Sequence, residues 1–145
     1  MEQRVTHSLV QMLRTIPDFS PLDEHSLLEI VGESMNLFWK AGGTIFEKGR
    51  AGEAFYVVVA GSVSIRDAEG HEVGRFESGD SFGEISLLLN TTHRREAVAL
   101  TDCEILVLPR EAFSSLLASN PSLAEHFQRV LKERVPESVS EPSGG

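Results

Sequence analysis

The chain has little cysteine, little basic charge and no long apolar run. Among 145 residues there is one cysteine, one tryptophan and one tyrosine. With Cys103 alone no internal disulfide can form, so the fold must rest on packing, and a reducing compartment suits it. Lys and Arg number 13 against 22 Asp and Glu, a formal charge of −9. That balance argues against a nucleic-acid surface, which exchanges basic side chains for counterions. The longest apolar run, Ala54–Ala60, falls far short of the roughly 20 residues that span a bilayer. The N-terminus lacks the positive-then-apolar pattern of a secretion signal. The expectation is a cytoplasmic chain with no nucleic-acid partner and no membrane insertion.

Catalytic signatures are missing as well. His7, His25, His71 and His126 show no ligand spacing. The paired H-x-H followed by Glu of a metal-binding all-β enzyme is not there, because His71 stands alone. No Gly-x-Ser-x-Gly elbow occurs, and Ser64, Ser81 and Ser86 have no such context. The expectation is no enzyme, no catalytic residues and no metal site.

What is present is an ordinary globular composition, 41% hydrophobic and 24% charged, in a chain of single-domain length. Val5, Leu9, Met12, Leu13 and Ile16 recur at helical spacing until Pro17. "SPLDEHSLLEIV" predicts a second helix with Ser20 as cap, Pro21 at the first position, and Asp23 and Glu24 near the positive end of the dipole. After Glu33 the pattern changes to short β-branched or aromatic runs separated by Gly, Asp and Ser. Turn signals at that frequency predict an antiparallel sandwich, barrel or roll. The clearest hairpin turn is Asp67–Gly70. "REAFSSLLASN" returns to helix. Pro121 then opens a last helix with Asn120 as its cap and Leu123, Phe127, Val130 and Leu131 as its apolar stripe. That stripe reads first as core packing and second as a lid over a ligand. Cys103, in an apolar strand, reads as core. Phe38 and Trp39 read as core or partner-facing packing.

The fold expected is therefore mainly β with flanking helices. Residues 1–33 form an N-terminal helical segment, 34–109 an antiparallel, jelly-roll-like β-roll, 110–134 C-terminal helices, and 135–145 a disordered Pro/Ser/Gly tail.

Within the roll, "FGEISLLLNTTHRREAVA" interrupts the strands. Gly79-Asp80 reads as a turn, Gly83 permits close backbone approach, and Glu84–Leu88 makes about one helical turn. A helix start leaves backbone N–H groups unpaired and pointing one way. His93, Arg94 and Arg95 follow as the tightest basic cluster of the chain. The physical reading is a small phosphate cradle of backbone donors and a cation, with Glu84 placed to accept from hydroxyls. The plainer alternative is a turn, a solvent-facing acid and a solvated basic loop.

The stretch from Gly79 to Ala99 resembles the phosphate-binding cassette of the cyclic nucleotide-binding domain family. That pattern is F-G-E-(hydrophobic)-(small)-L-L, a short loop, then P-R-(small)-A-(Thr/Ser)-V. "AGGTIFEKGRAGEAFYVVVAGSVSI", with Gly49, Gly52, Gly61 and Gly79 in step, is similar to the family's glycine-punctuated roll. "ALTDCEILVLPREAF" is similar to its closing strand and helix.

The resemblance implies that Glu84 takes a ribose 2′-hydroxyl and that the backbones of Gly83, Ile85 and Ser86 meet a cyclic phosphate. An ungapped count places His93 on the arginine, Thr92 on the proline, Arg95 on the alanine and Glu96 on the Thr/Ser. A loop one residue longer brings Arg94 into place, and one two longer brings Arg95. These two rank level, with His93 behind, because a neutral imidazole lacks the guanidinium fork.

The implied function is a cyclic nucleotide sensor, with cyclic AMP ahead of cyclic GMP because Glu96 and Ala97 offer no hydroxyl to guanine. Occupancy would pass through the C-terminal helix to a protein effector or a homodimer, and the cyclic nucleotide would be a regulatory ligand, with no cofactor. The alternative is a degenerate copy of the same fold that binds no nucleotide and serves docking or dimerisation. A catabolite-activator-like sensor is the nearest type, without a DNA-binding domain, since only a polar tail follows the last helix.

Overall fold

"AFYVVVA" is apolar without alternation, the pattern of a strand covered on both faces, and the architecture is built around it. The computed structural model describes residues 9–16, 19, 22–89 and 91–134. The eight strands among them are β1 (Met35–Trp39), β2 (Thr44–Phe46), β3 (Ala54–Ala60), β4 (Val63–Arg66), β5 (Glu72–Phe76), β6 (Ser81–Phe82), β7 (Glu96–Ala99) and β8 (Cys103–Pro109). They form two four-stranded antiparallel sheets, ordered β1-β8-β3-β6 and β2-β7-β4-β5. Helix α1 (residues 9–14) and α2 (Glu24–Glu33) precede the sheets. The short α3 (Glu84–Leu89) lies between β6 and β7, while α4 (Arg110–Ser119) and α5 (Pro121–Arg134) follow β8.

β3 serves two cores at once. Phe55 and Val57 join Leu106 and Leu108 of β8 in packing against the helices, among Leu13, Phe19, Leu27, Ile30, Phe113, Leu123 and Phe127. Ala54, Tyr56 and Val58 point the other way, between the sheets, with Phe82, Ala97, Ala99, Ile105 and Val107. Alternate residues of a strand face opposite sides, so one apolar run joins the helical layer to the sandwich interior. Cys103, 2% exposed, lies in that interior as expected. The Asp67–Gly70 turn joins β4 to β5, with the Asp67 carboxylate accepting from the N–H groups of Glu69 and His71.

Several local expectations change. α2 starts at Glu24 rather than Pro21. Its cap is Asp23, whose carboxylate accepts from the Ser26 N–H at 2.9 Å; the proposed cap Ser20 and first residue Pro21 lie outside the described residues. That bond pulls the Asp23 carboxyl below its usual value, as an N-cap does. Asn120 stands at the cap position of α5, its carbonyl accepting from the Leu123 and Ala124 N–H groups, but its side chain is used elsewhere. Its amide nitrogen donates to the Leu116 carbonyl and its amide oxygen accepts from the Ser26 hydroxyl, so it joins α4 to α2. In the α5 stripe, Leu123 and Phe127 are fully buried in the helical core, which is the packing reading. Trp39 packs against the sandwich core, whereas Phe38 is 71% exposed on β1, an edge strand. Val5, Pro17 and the tail 135–145 lie outside the described residues.

Phe55 holds the helical layer to the sheet, with ring centroids 5.5 Å from Phe19, 5.4 Å from Phe113 and 5.9 Å from Phe127. Phe55→Ala leaves a cavity facing three rings. Chemical denaturation should show a loss of about 3–5 kcal/mol.

Candidate functional site

Glycine sets the geometry of the site at two places. Gly83 has φ +90°, and a Cβ there would stand 2.7 Å from the Tyr56 ring. This left-handed residue turns the chain out of β6 into α3 against that ring. Gly52, in the loop between β2 and β3, backs onto α3 so closely that a Cβ would lie 2.7 Å from the Ser86 Cβ. The loop therefore packs backbone-first on the short helix.

The same loop holds the chain that follows α3. The Gly52 N–H donates to the Thr91 carbonyl, the His93 N–H to the Arg50 carbonyl and the Gly49 N–H to the His93 carbonyl, at 2.8–3.0 Å, around an Ala51–Thr92 bridge. Arg110, the first residue of α4, completes the assembly. Its guanidinium donates to the carbonyls of Gly52 and Leu87, and its N–H donates to the Glu53 carbonyl. One side chain thus ties the β2–β3 loop and α3 to the start of the C-terminal helices.

Glu84 occupies the first position of α3 and is 3% exposed. The helical bond from the Leu87 N–H to the Gly83 carbonyl comes after the Ile85 and Ser86 amides, so those two stand ahead of the ladder. His93 is 4% exposed and lies flat on Phe46, with centroids 3.6 Å apart and an interplanar angle of 8°. It borders a hollow of about 330 Å³ together with Thr44, Phe46, Glu47, Arg50, Glu53 and Tyr56. Among the described residues its ring nitrogens have no hydrogen-bond partner. Burial pushes the imidazole below its usual value, and nearby Glu53 only partly offsets this; the ring is therefore neutral at pH 7. Burial, then Glu53, raises the Tyr56 phenol.

Arg94 and Arg95 are both exposed. Arg95 makes a minor contribution to holding the Asp67 carboxyl below its usual value, behind the His71 backbone N–H. The structure thus brings Gly83, Glu84, Ile85, Ser86 and, through the Gly52 loop, His93 into one assembly, and leaves the two arginine side chains on its outer surface. The hollow itself reaches only His93 of these seven.

Sequence reading missed Phe46, Arg50, Glu53, Tyr56 and Arg110 as parts of this assembly. Only Arg110 carries a local signal. A cation at the first position of a helix opposes the dipole, so its presence there points to a partner elsewhere. Among the described residues no group of three or more His, Cys, Asp or Glu could hold a metal, and no helix is long and apolar enough to cross a membrane.

With this geometry in hand, comparison with known proteins is specific. Residues 36–120 match the family model described as cyclic nucleotide-binding domain. A cAMP-dependent protein kinase regulatory subunit from Aspergillus fumigatus is 34% identical over 107 residues, covering 72% of this chain and 26% of that protein. The sensor domain of the transcriptional regulator DNR from Pseudomonas aeruginosa superposes with a TM-score of 0.82 at 25% identity, covering 97% of this chain and 96% of that one. The regulatory subunit of a cAMP-independent protein kinase A from Trypanosoma cruzi, bound to guanosine, gives 0.77 at 26% identity over 94% of this chain and 50% of that one. The chain spans between 7% and 34% of the lengths of the curated relatives it matches.

Two outcomes test the assembly. Arg110→Met removes charge-assisted bonds to two carbonyls and should cost about 1.5–3 kcal/mol in a denaturant titration. His93 gives a pH signature. Because its folded pKa lies below its unfolded value, the unfolded chain takes up the proton first, and stability falls as pH drops below about 6.5. The fall levels off below the folded pKa. Thermal melts of His93→Gln should lose this component of the slope, and a slope identical to that of the unmodified chain counts against it.

Proposed function

The chain belongs to the cyclic nucleotide-binding domain family, and from that premise we propose that it is a regulatory module whose ligand is a cyclic nucleotide, cyclic AMP ahead of cyclic GMP. The observation that carries this reading is the setting of Glu84: a carboxylate 3% exposed, one residue after the left-handed Gly83, at the head of a short helix backed by a glycine loop. A carboxylate at that place can accept from a hydroxyl of a ligand entering the cassette, and a ribose 2′-hydroxyl is a fitting donor.

In this reading the amides of Gly83, Ile85 and Ser86 meet the phosphate. His93, Arg94 or Arg95 faces it, and either arginine first has to turn inward from its exposed position. Glu96, partly buried, and Ala97, fully buried, offer no hydroxyl to a guanine, which is the ground for the adenine preference.

Occupancy would travel along Arg110. A ligand that draws α3 and the Gly52 loop together changes what the Leu87 and Gly52 carbonyls present to that guanidinium, and hence the seat of α4. Asn120 and Ser26 then link the far end of α4 to α2. Such coupling requires that the ligand bind two arrangements with different affinity. The effector would be a protein joined to, or docked on, the C-terminal helices. The family module is regulatory and not catalytic.

A second reading, docking or dimerisation by the same fold without nucleotide, is favoured by one observation. Met35, Leu37 and Phe38 are exposed on β1, a sheet edge, and apolar groups on a free edge invite a partner.

Calorimetric titration of the full chain with cyclic AMP and cyclic GMP separates the two. Binding should appear with cyclic AMP the tighter, and Glu84→Gln should weaken it about ten- to a hundredfold, as loss of a charge-assisted bond does. No heat and no thermal shift with either nucleotide at millimolar concentration would leave the docking reading alone.

A further inference from the structure

We propose that this protein pairs with a second copy of itself through β1, the two strands meeting antiparallel at their free edges and joining two four-stranded sheets into one. The inference starts from the exposed edge that favours the docking reading above, and it names the partner and the geometry. It does not depend on whether the cassette holds a nucleotide.

The two sheets have four edges, β1, β6, β2 and β5, and three of them are protected. β6 is two residues long. β2 has three residues, and its register with β7 shifts between Thr44 and Phe46. β5 carries Glu72 and Arg75, and its register with β4 shifts as well. Short length, charge and irregular pairing are what keep a sheet edge from adding another strand. β1 has none of these. Met35–Trp39 contains no charged residue and no proline, and all five residues pair with β8 in unbroken register. Apart from that ladder, residues 35–39 make no backbone–backbone bond among the described residues. Their side chains are open too, with Met35 at 48%, Leu37 at 39% and Phe38 at 71% exposure.

A second copy fits this edge. Pairing about a two-fold axis at Leu37 sets Leu37 against Leu37, Met35 against Trp39 and Asn36 against Phe38, the register that uses all five residues. Met35, Leu37 and Trp39 lie on the side of β1 that faces the sandwich interior, since their partners Val107, Ile105 and Cys103 on β8 belong to that core. Two copies would join these apolar side chains across the seam and continue the interior from one to the other. The charges at the strand ends set the direction. Glu33 precedes β1 and Lys40 follows it, both exposed, so antiparallel pairing brings the acid of one copy towards the base of the other at each end. Parallel pairing would set like beside like. A seam of five residues is small against the roughly 1,200–2,000 Å² of a standard interface, and each copy carries a charge of −9. The association is therefore weak and depends on concentration.

Analytical ultracentrifugation of the full chain from about 1 μM to about 1 mM tests this, and a reversible dimer should form towards the top of that range. Leu37→Lys and, separately, Phe38→Lys should weaken it about tenfold or more. Phe38, the more exposed of the two, keeps the test available should Leu37→Lys fail to fold. Leu37→Cys reads the geometry, because a mild oxidant should link it to its own copy. Val73→Cys, 46% exposed on the charged edge β5, should stay monomeric, and the buried Cys103 adds no background. A chain that is monomeric throughout the range overturns the inference and leaves both readings of the proposed function standing, since nucleotide binding and a docking partner of another kind are untouched by it. A dimer that ignores both lysine variants overturns it as well. So does one in which Val73→Cys links as readily as Leu37→Cys.

Discussion

The site depends on a close backbone approach between the β2–β3 loop and α3. Gly52 has room for a hydrogen and nothing larger, because Ser86 lies where a side chain would go. From that approach follow the position of residues 91–93, which bond to the same loop, and the seat of Arg110, which closes over both carbonyls. A six-residue helix has little stability of its own. α3 holds its shape because a loop, a strand and a guanidinium surround it.

The Arg110 side chain bonds to two elements of the candidate site, and Arg110 itself opens α4, so the site and the C-terminal helices are joined directly. β3 and β8 reinforce the link, since their alternate residues are shared between the sandwich interior and the helical core. Close-packed interiors transmit small displacements because they resist continuous deformation. Phe55, pressed between Phe19, Phe113 and Phe127, is the ring through which β3 packs on α4 and α5.

His93 is the buried member of the basic cluster. Stacking on Phe46 removes the imidazole from water, and desolvation keeps it uncharged despite Glu53. Around that buried ring Glu47, Arg50, Glu53, Arg94 and Arg95 are all exposed. The family fold supplies the frame, and the side chains placed within it set its local charge.

The sequence alone determined the element classes, the unbroken apolar run of β3, the turn at Asp67–Gly70, and the cassette from Phe82 to Ala99 with Glu84 at its head. All are written in local period and turn chemistry, which depend on near neighbours along the chain. It did not tell Asp23 from Ser20 as the cap of α2, since both residue types can accept the bond. It placed Asn120 rightly before α5 but could not show that its side chain is committed to α4 and α2. Which of three adjacent basic residues faces inward was equally out of reach, because strand parity counts only once the register is known. Tertiary structure decided it: the bonds from Gly49 and Arg50 to His93, and the flat face of Phe46, bury that ring and leave both arginines in water. Those contacts join residues more than forty positions apart, and no local pattern records them.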